Sequence, residues 1–202
     1  MDSYVINLKR RKDRLNKFLI RASTANIPVK VVEAIDGQNI DFKSIWIEKY
    51  NNLITRRYLK KGEIGCYLSH YKCYEMSKTD LVLIFEDDAY IPIDFWYQLD
   101  IIKKTLPKDF DIALLGTTNV WRRKYSKECK KIWENKDWTR YEGDIYGLQG
   151  YILSKKAIKT LIDCKYPLNV PIDVKINHLG LKVYVSKLNL IDTLRLGSDT
   201  QR

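Results

Sequence analysis

Leu81-Val82-Leu83-Ile84-Phe85 is an unbroken apolar run that stops at three consecutive acids, Glu86-Asp87-Asp88. A short run without polar alternation reads as a strand covered on both faces. Sheets covered on both faces are layered between helices, so this octapeptide selects an α/β architecture. Its end is as informative as its body. In open α/β sheets, ligands bind beyond the carboxyl ends of strands. Three adjacent carboxylates there repel one another and lose hydration, and a divalent cation offsets that cost. Hard oxygen ligands suit Mg²⁺ or Mn²⁺. Such an ion can bridge to a diphosphate and take up charge on a phosphate leaving group. The alternative for the tripeptide alone is a strand running into a solvated acidic turn.

The rest of the chain alternates in the same way. Tyr4 to Leu8 is a β-rich run, and Leu15, Phe18, Leu19 and Ala22 then fall at helical spacing. Ile27 to Val32 alternates as a second strand, and Ala34-Ile35-Asp36-Gly37 makes a turn. After Gly62-Glu63-Ile64-Gly65, a helix carries Cys66, Ser69, Cys73 and Met76 on one face. Asp111 to Leu115 is a second apolar run, closed by Gly116. Tyr151-Ile152-Leu153 leads into a helix with Ala157, Ile158, Leu161 and Ile162, and Leu181 to Val185 is a last strand. The expectation is one Rossmann-like α/β domain over residues 1–202, with a mostly parallel central sheet flanked by helices. The segment 121–140 stands apart. It holds Trp121, Trp133 and Trp138, is rich in Lys and Arg, and lacks sheet-like alternation, so it reads as a surface excursion beside the site.

Other classes are disfavoured. No apolar run approaches the roughly 20 residues that cross a bilayer. The opening MDSYVINLKRRKDR has no signal-peptide apolar core, so a cytoplasmic location is expected. Cys66, Cys73, Cys129 and Cys164 form no CxxC pair, and a zinc site is not expected; Cys66 and Cys73 read as buried thiols. The net charge of +11 suits nucleic acid, phosphorylated small molecules, anionic membranes or acidic glycans, and charge alone does not choose. A basic nucleic-acid-binding module is a competing reading, but no helix-turn-helix, zinc-finger or RNP signature supports it. Acids at a strand end also oppose a phosphate backbone. No nucleic-acid partner is expected.

Five segments, in order, carry a resemblance. LVLIFEDDAYIP resembles the metal-binding strand end of sugar-nucleotide transferases with a GT-A fold. VINLKRRKDRLNKF, VVEAIDGQNID, KKGEIGCYLSHYKCYE, and GLQGYILSKKAIKTL followed by PLNVPIDVKI resemble glycosyltransferase family 25. The GEIGC-x-LSH helix start is the most specific match, and the terminal GSDT resembles a family ending. That family includes lipooligosaccharide galactosyl- and glucosyltransferases and procollagen galactosyltransferases.

The resemblance implies inverting, metal-dependent transfer of a hexose from a UDP-sugar to a hydroxyl. The acceptor is a glycan, a lipid-linked saccharide or a hydroxylysine in a collagen-like chain. Glu86, Asp87 and Asp88 are assigned to the donor site, with Asp88 the leading ligand for Mn²⁺ or Mg²⁺ and Asp199 a further metal contact. Asn7 and Arg14 are placed near the nucleotide, with an exposed helix charge as the alternative for Arg14. Glu63, Ser69 and His70 join them; capping is the alternative for Glu63, and a structural role for His70. Asp173, in the Pro-x-Asp element, is the expected base and Asp144 its rival; His178 matches nothing specific. A catalytically inactive relative that keeps the fold as a scaffold is the remaining alternative.

Overall fold

The computed structural model describes residues 1–41, 43, 45–51, 56–118 and 129–194. The chain opens with β1 (Asp2–Asn7), α1 (Lys12–Thr24) and β2 (Lys30–Glu33). A 3-10 turn (Gly37–Asn39) and the short pair β3 (Tyr50–Asn51) and β4 (Arg56–Arg57) lead to α2 (Lys61–Met76). Then come β5 (Leu81–Glu86), β6 (Ala89–Tyr90), α3 (Phe95–Lys103) and β7 (Ile112–Leu114). After them lie β8 (Lys130–Glu134), β9 (Trp138–Glu142), β10 (Gly150–Ser154) and α4 (Lys155–Asp163). The described part ends with α5 (Ile172–Asn177), β11 (Val183–Ser186) and β12 (Asp192–Thr193).

Eight strands form one sheet in the order β2-β1-β5-β10-β7-β11-β9-β8. β1 is parallel to β2 and β5, and β7 is parallel to β11. β10 lies antiparallel between β5 and β7, and β9 antiparallel between β11 and β8. The sheet is therefore mixed: β9 and β10 oppose the common direction of the other strands.

Both faces are covered, as the apolar run of β5 requires. Val82, Leu83, Ile84 and Phe85 are all fully buried. Val82 and Ile84 join a layer with Tyr67, Tyr71 and Tyr74 of α2 and with Ala157 and Leu161 of α4. Leu83 and Phe85 pack instead with Phe18 of α1 and Phe95 and Leu99 of α3. Each such side chain contributes about 1.5–3 kcal/mol by leaving water. Ser154 starts α4 by accepting a hydrogen bond from the Ala157 amide at 3.2 Å. β2 is shorter than the alternating run at 27–32, because Pro28 has no amide to give a sheet.

Residues 129–140 correct the reading of a surface excursion. β8 and β9 form a hairpin on the sheet edge, and Trp138 is fully buried, its Nε1 donating to the Ile102 carbonyl at 2.8 Å. β8 is exposed along its whole length, so it carries no inward pattern, and its lysines suit an edge that must not pair further. Trp121 lies outside the described residues. No described helix is long and apolar enough to cross a membrane.

Candidate active site

Two sequence motifs meet through glycine. A Cβ on Gly37 would stand 1.8 Å from the Lys61 carbonyl oxygen. One on Gly65 would stand 2.6 Å from the Ile35 oxygen and 2.7 Å from the Gly37 nitrogen. Only bare backbone allows the Asp-Gly turn to lie against the first turn of α2. Ser69 completes the junction, donating to the Gly65 carbonyl at 2.6 Å and accepting from the Ile35 amide at 2.8 Å. It lines the cleft between these elements, and its hydroxyl is occupied by the fold.

That cleft, of about 130 Å³, is floored by the Ala34–Gln38 turn and flanked by Arg10, Arg14, His70 and the three acids. A second cleft, of about 710 Å³, is lined by Arg57, Glu63, Thr118, the 146–149 loop, Asp173 and Thr193. Cys66, Glu86 and Asp88 line both, so the carboxyl end of β5 stands where the clefts adjoin.

The three acids are not equivalent. Asp87 is buried and held on both oxygens, by Asn7 Nδ2 at 2.7 Å and Arg14 Nη1 at 2.8 Å. It ties β1 and α1 to the end of β5, with both carboxylate oxygens already engaged. Asn7 lines neither cleft and lies behind Asp87, which does line the first. Arg14 is buried rather than an exposed helix charge, and it reaches Asp88 as well, at 3.6 Å.

Asp88 is different. Its Oδ1 is buried with no hydrogen-bond partner among the described residues. Burial raises its carboxyl pKa, and the neighbouring Glu86 and Asp87 charges add to this while Arg14 opposes it. A carboxylate so placed gains most from a cation. Glu86 stands beside it, one-third exposed, with Oε1 3.3 Å from His70 Nε2. Asp88 and Glu86 both line the two clefts and thus offer a hard divalent ion oxygen ligands, one of them unsatisfied.

His70 lies inside α2 rather than at its start. Its Nδ1 is 2.6 Å from the Tyr151 hydroxyl, which is 2.9 Å from the Tyr74 hydroxyl. If Nε2–H donates to Glu86, Nδ1 accepts from Tyr151, and Tyr151 accepts from Tyr74, so one tautomer satisfies the series. Glu63 takes the capping alternative. It accepts from the Lys60 amide at 2.7 Å and from both terminal nitrogens of Arg57, at 2.6 and 2.7 Å. Burial alone would raise its pKa, but the bonds from Arg57 and Lys60 prevail and hold it below the usual value.

Asp173 opens α5 and lines the second cleft. It accepts from the Val174 amide at 3.0 Å and the Gly147 amide at 3.3 Å. Burial, helped by the Glu86 charge, pushes its pKa up to about 6 against those bonds. Asp144 is not brought into the site. It lines neither cleft and is paired with His178 Nε2 at 2.8 Å. Asp199 lies outside the described residues. Arg57, Cys66, Thr118 and Tyr151 are site residues that spacing did not reveal, because strands and loops far apart in sequence bring them together. Cys73 is buried as expected, whereas Cys66 faces the clefts.

A sequence profile described as glycosyltransferase family 25 (LPS biosynthesis protein) matches residues 1–176. The chain belongs to glycosyltransferase family 25. Among curated family 25 relatives, human procollagen galactosyltransferase 2 is 32% identical over 175 residues, covering 79% of this chain and 27% of the relative. Human inactive glycosyltransferase 25 family member 3 is 31% identical over 129 residues, covering 58% of this chain and 22% of the relative. The chain thus spans about a quarter of these proteins. In fold, the galactosyltransferase LgtC, solved with donor and acceptor sugar analogs, gives a TM-score of 0.50 at 14% identity, covering 92% of this chain and 73% of that one. Staphylococcus aureus TarS 1–349 gives 0.52 at 13% identity, covering 96% and 60%. The family 25 chain therefore has the α/β fold of these proteins, as the sequence implied.

Proposed function

We propose that this family 25 domain transfers a hexose, galactose or glucose, from a UDP-sugar to a hydroxyl of a glycan or a collagen-like chain, with inversion. The observation that carries the reading is the buried, unpartnered Oδ1 of Asp88 beside Glu86, where the two clefts adjoin. The nucleotide would occupy the first cleft, over the Ala34–Gln38 turn, with Arg10 and Arg14 offering positive charge. Mn²⁺ or Mg²⁺ held by Asp88 and Glu86 would neutralise charge on the departing diphosphate. The acceptor would enter the second cleft, where Asp173 takes the hydroxyl proton. The acceptor oxygen forms its bond to the anomeric carbon as the bond to the diphosphate oxygen breaks, and UDP leaves. The similarity to procollagen galactosyltransferase 2 favours galactose and a procollagen acceptor, and the match to a family of LPS biosynthesis proteins favours a lipopolysaccharide acceptor.

Titration calorimetry of UDP with and without Mn²⁺ tests this on the wild type and on Asp88→Asn, which keeps the shape and removes the charge. The expected outcome is metal-dependent UDP binding that the variant loses. UDP binding indifferent to both metal and variant would reject the donor-site assignment. The similarity to an inactive family member favours a second reading, a sugar-nucleotide-binding domain without turnover. Release of UDP from UDP-galactose or UDP-glucose separates the two.

A further inference from the structure

Cys66 and His70 occupy positions i and i+4 of α2, so both side chains leave the same side of the helix. Glu86 reaches the same place from the end of β5. One ligand atom from each, the sulfur, a ring nitrogen and a carboxylate oxygen, lies within 4.8 Å of the others. The His70 Nε2 to Glu86 Oε1 separation is 3.3 Å. With zinc–nitrogen and zinc–oxygen bonds of about 2.0–2.2 Å in tetrahedral geometry, those two atoms stand roughly 3.3–3.5 Å apart. The imidazole and the carboxylate are already spaced as two zinc ligands, and only the sulfur has to close in.

The support behind the histidine has the same character. A metal-bound imidazole is oriented by a partner on its other nitrogen. Here Tyr151 holds Nδ1 at 2.6 Å, and Tyr74 holds Tyr151 at 2.9 Å. Access exists too, since Cys66 and Glu86 line both clefts, leaving a fourth position for water or a ligand. Burial, with the charges of Glu86, Asp173 and Asp88, keeps the Cys66 thiol protonated in the metal-free chain, so the ion must displace that proton, while the same charges draw a cation toward the sulfur.

We infer that Cys66, His70 and Glu86 form a second metal site, for a thiophilic ion such as Zn²⁺, next to the carboxylate pair Glu86 and Asp88. Binding forms three metal–ligand bonds, releases the Cys66 thiol proton to solvent and moves the His70 ring proton from Nε2 to Nδ1, where the Tyr151 hydroxyl accepts its hydrogen bond and donates in turn to Tyr74. The site does not depend on the sugar-transfer reading, but the two share Glu86. An ion on Cys66 and His70 draws that carboxylate away from Asp88. Zn²⁺ then opposes the hard-ion site, so the thiol and imidazole act as an inhibitory metal sensor.

Co²⁺ added to the metal-stripped chain, without nucleotide, provides the test. The expected result is a thiolate-to-cobalt charge-transfer band that Zn²⁺ abolishes, that Cys66→Ser loses, and that Asp88→Asn and Cys164→Ser retain. Tyr151→Phe should weaken Co²⁺ binding about 10–100-fold, as loss of an orienting partner does. No band in the wild type, or a band that survives Cys66→Ser, overturns the site. A band lost in Asp88→Asn overturns it as well, because the ion then belongs to the acids. Alkylation of the unmodified chain, mapped by mass spectrometry, guards against a misfolded variant. Zn²⁺ should slow labelling of Cys66 and leave Cys164 unchanged, and equal labelling of Cys66 with and without Zn²⁺ counts against the site. Failure of UDP to bind with Mn²⁺ would leave the cobalt band in place, so the two proposals fail separately.

Discussion

At the scale of single residues, the site depends on carboxylates given opposite surroundings. Asp87 is paired with Arg14 and accepts a hydrogen bond from Asn7, which partly offset its burial, while Asp88 and Asp173 are buried with less compensation. Removing one partner of a buried pair leaves an unpaired charge. Arg14→Met should therefore cost about 3–5 kcal/mol in urea unfolding, and adding Asp87→Asn should restore part of it. An additive double mutant would show that the pair is not coupled. Asp173 carries a prediction of opposite sign. Its folded pKa of about 6 lies above its ordinary 3.8, so between those values the folded chain holds the proton that the unfolded chain has released. Stability from this residue is present at low pH and is lost as pH rises through about 6. Asp173→Asn should gain melting temperature relative to wild type between pH 5 and pH 8. In the same variant, turnover should fall 10²–10⁴-fold, the usual worth of a general base (~3–5 kcal/mol), with UDP and Mn²⁺ binding kept. The wild-type rate should climb with pH through about 6. A pH-independent stability difference, or unchanged turnover, would remove Asp173 from the proposed role.

At the scale of elements, the junction between the Asp-Gly turn and α2 builds the first cleft. Gly37→Ala places a Cβ 1.8 Å from a backbone oxygen, which no rotamer change relieves. The expected cost is about 1–3 kcal/mol, as for other overpacked sites, together with weaker UDP binding. Thermal melts and calorimetry measure both. Unchanged melting and affinity would mean the turn does not shape the cleft. The elements also explain what could be read from sequence. β5 and β7 are fully buried strands, and their apolar runs announce them. α4 has a capping Ser154 and a one-sided apolar pattern. The reversal of β10 left no trace, since a strand buried on both faces has the same composition in either direction. β8 was hidden because an exposed edge strand has no inward face, and Trp138 was hidden by the charges around it. The acids of the site were legible as a run, but their division of labour was not. Asn7 meets Asp87 across 80 residues, and only the packing of β1 beside β5 creates that contact.

At the scale of the whole molecule, the first cleft rests on elements from both layers of the core. Arg14 comes from α1 on one side of the sheet and Ser69 and His70 from α2 on the other, with β5 between them. A ligand seated there touches groups whose positions depend on the entire fold, so binding should be felt as global stability. A ligand at 100 times its Kd adds about 2.7 kcal/mol to the folded state. For a chain of this size, 1 kcal/mol moves the melting temperature by about 2–4 °C, so saturation should raise it by roughly 5–11 °C. Mn²⁺ alone meets an uncompensated Asp88 and should give a small shift. UDP alone brings its diphosphate toward Glu86 and Asp88 and should give little. Together they remove each other's charge penalty, and the joint shift should exceed the sum of the separate ones. Asp88→Asn should abolish the excess while leaving the unliganded chain no less stable, because it removes a buried charge whose Oδ1 has no hydrogen-bond partner among the described residues and which Arg14 meets at 3.6 Å. Strictly additive shifts in the wild type would mean that metal and nucleotide bind apart, and the placement of the ion between the clefts would then be wrong.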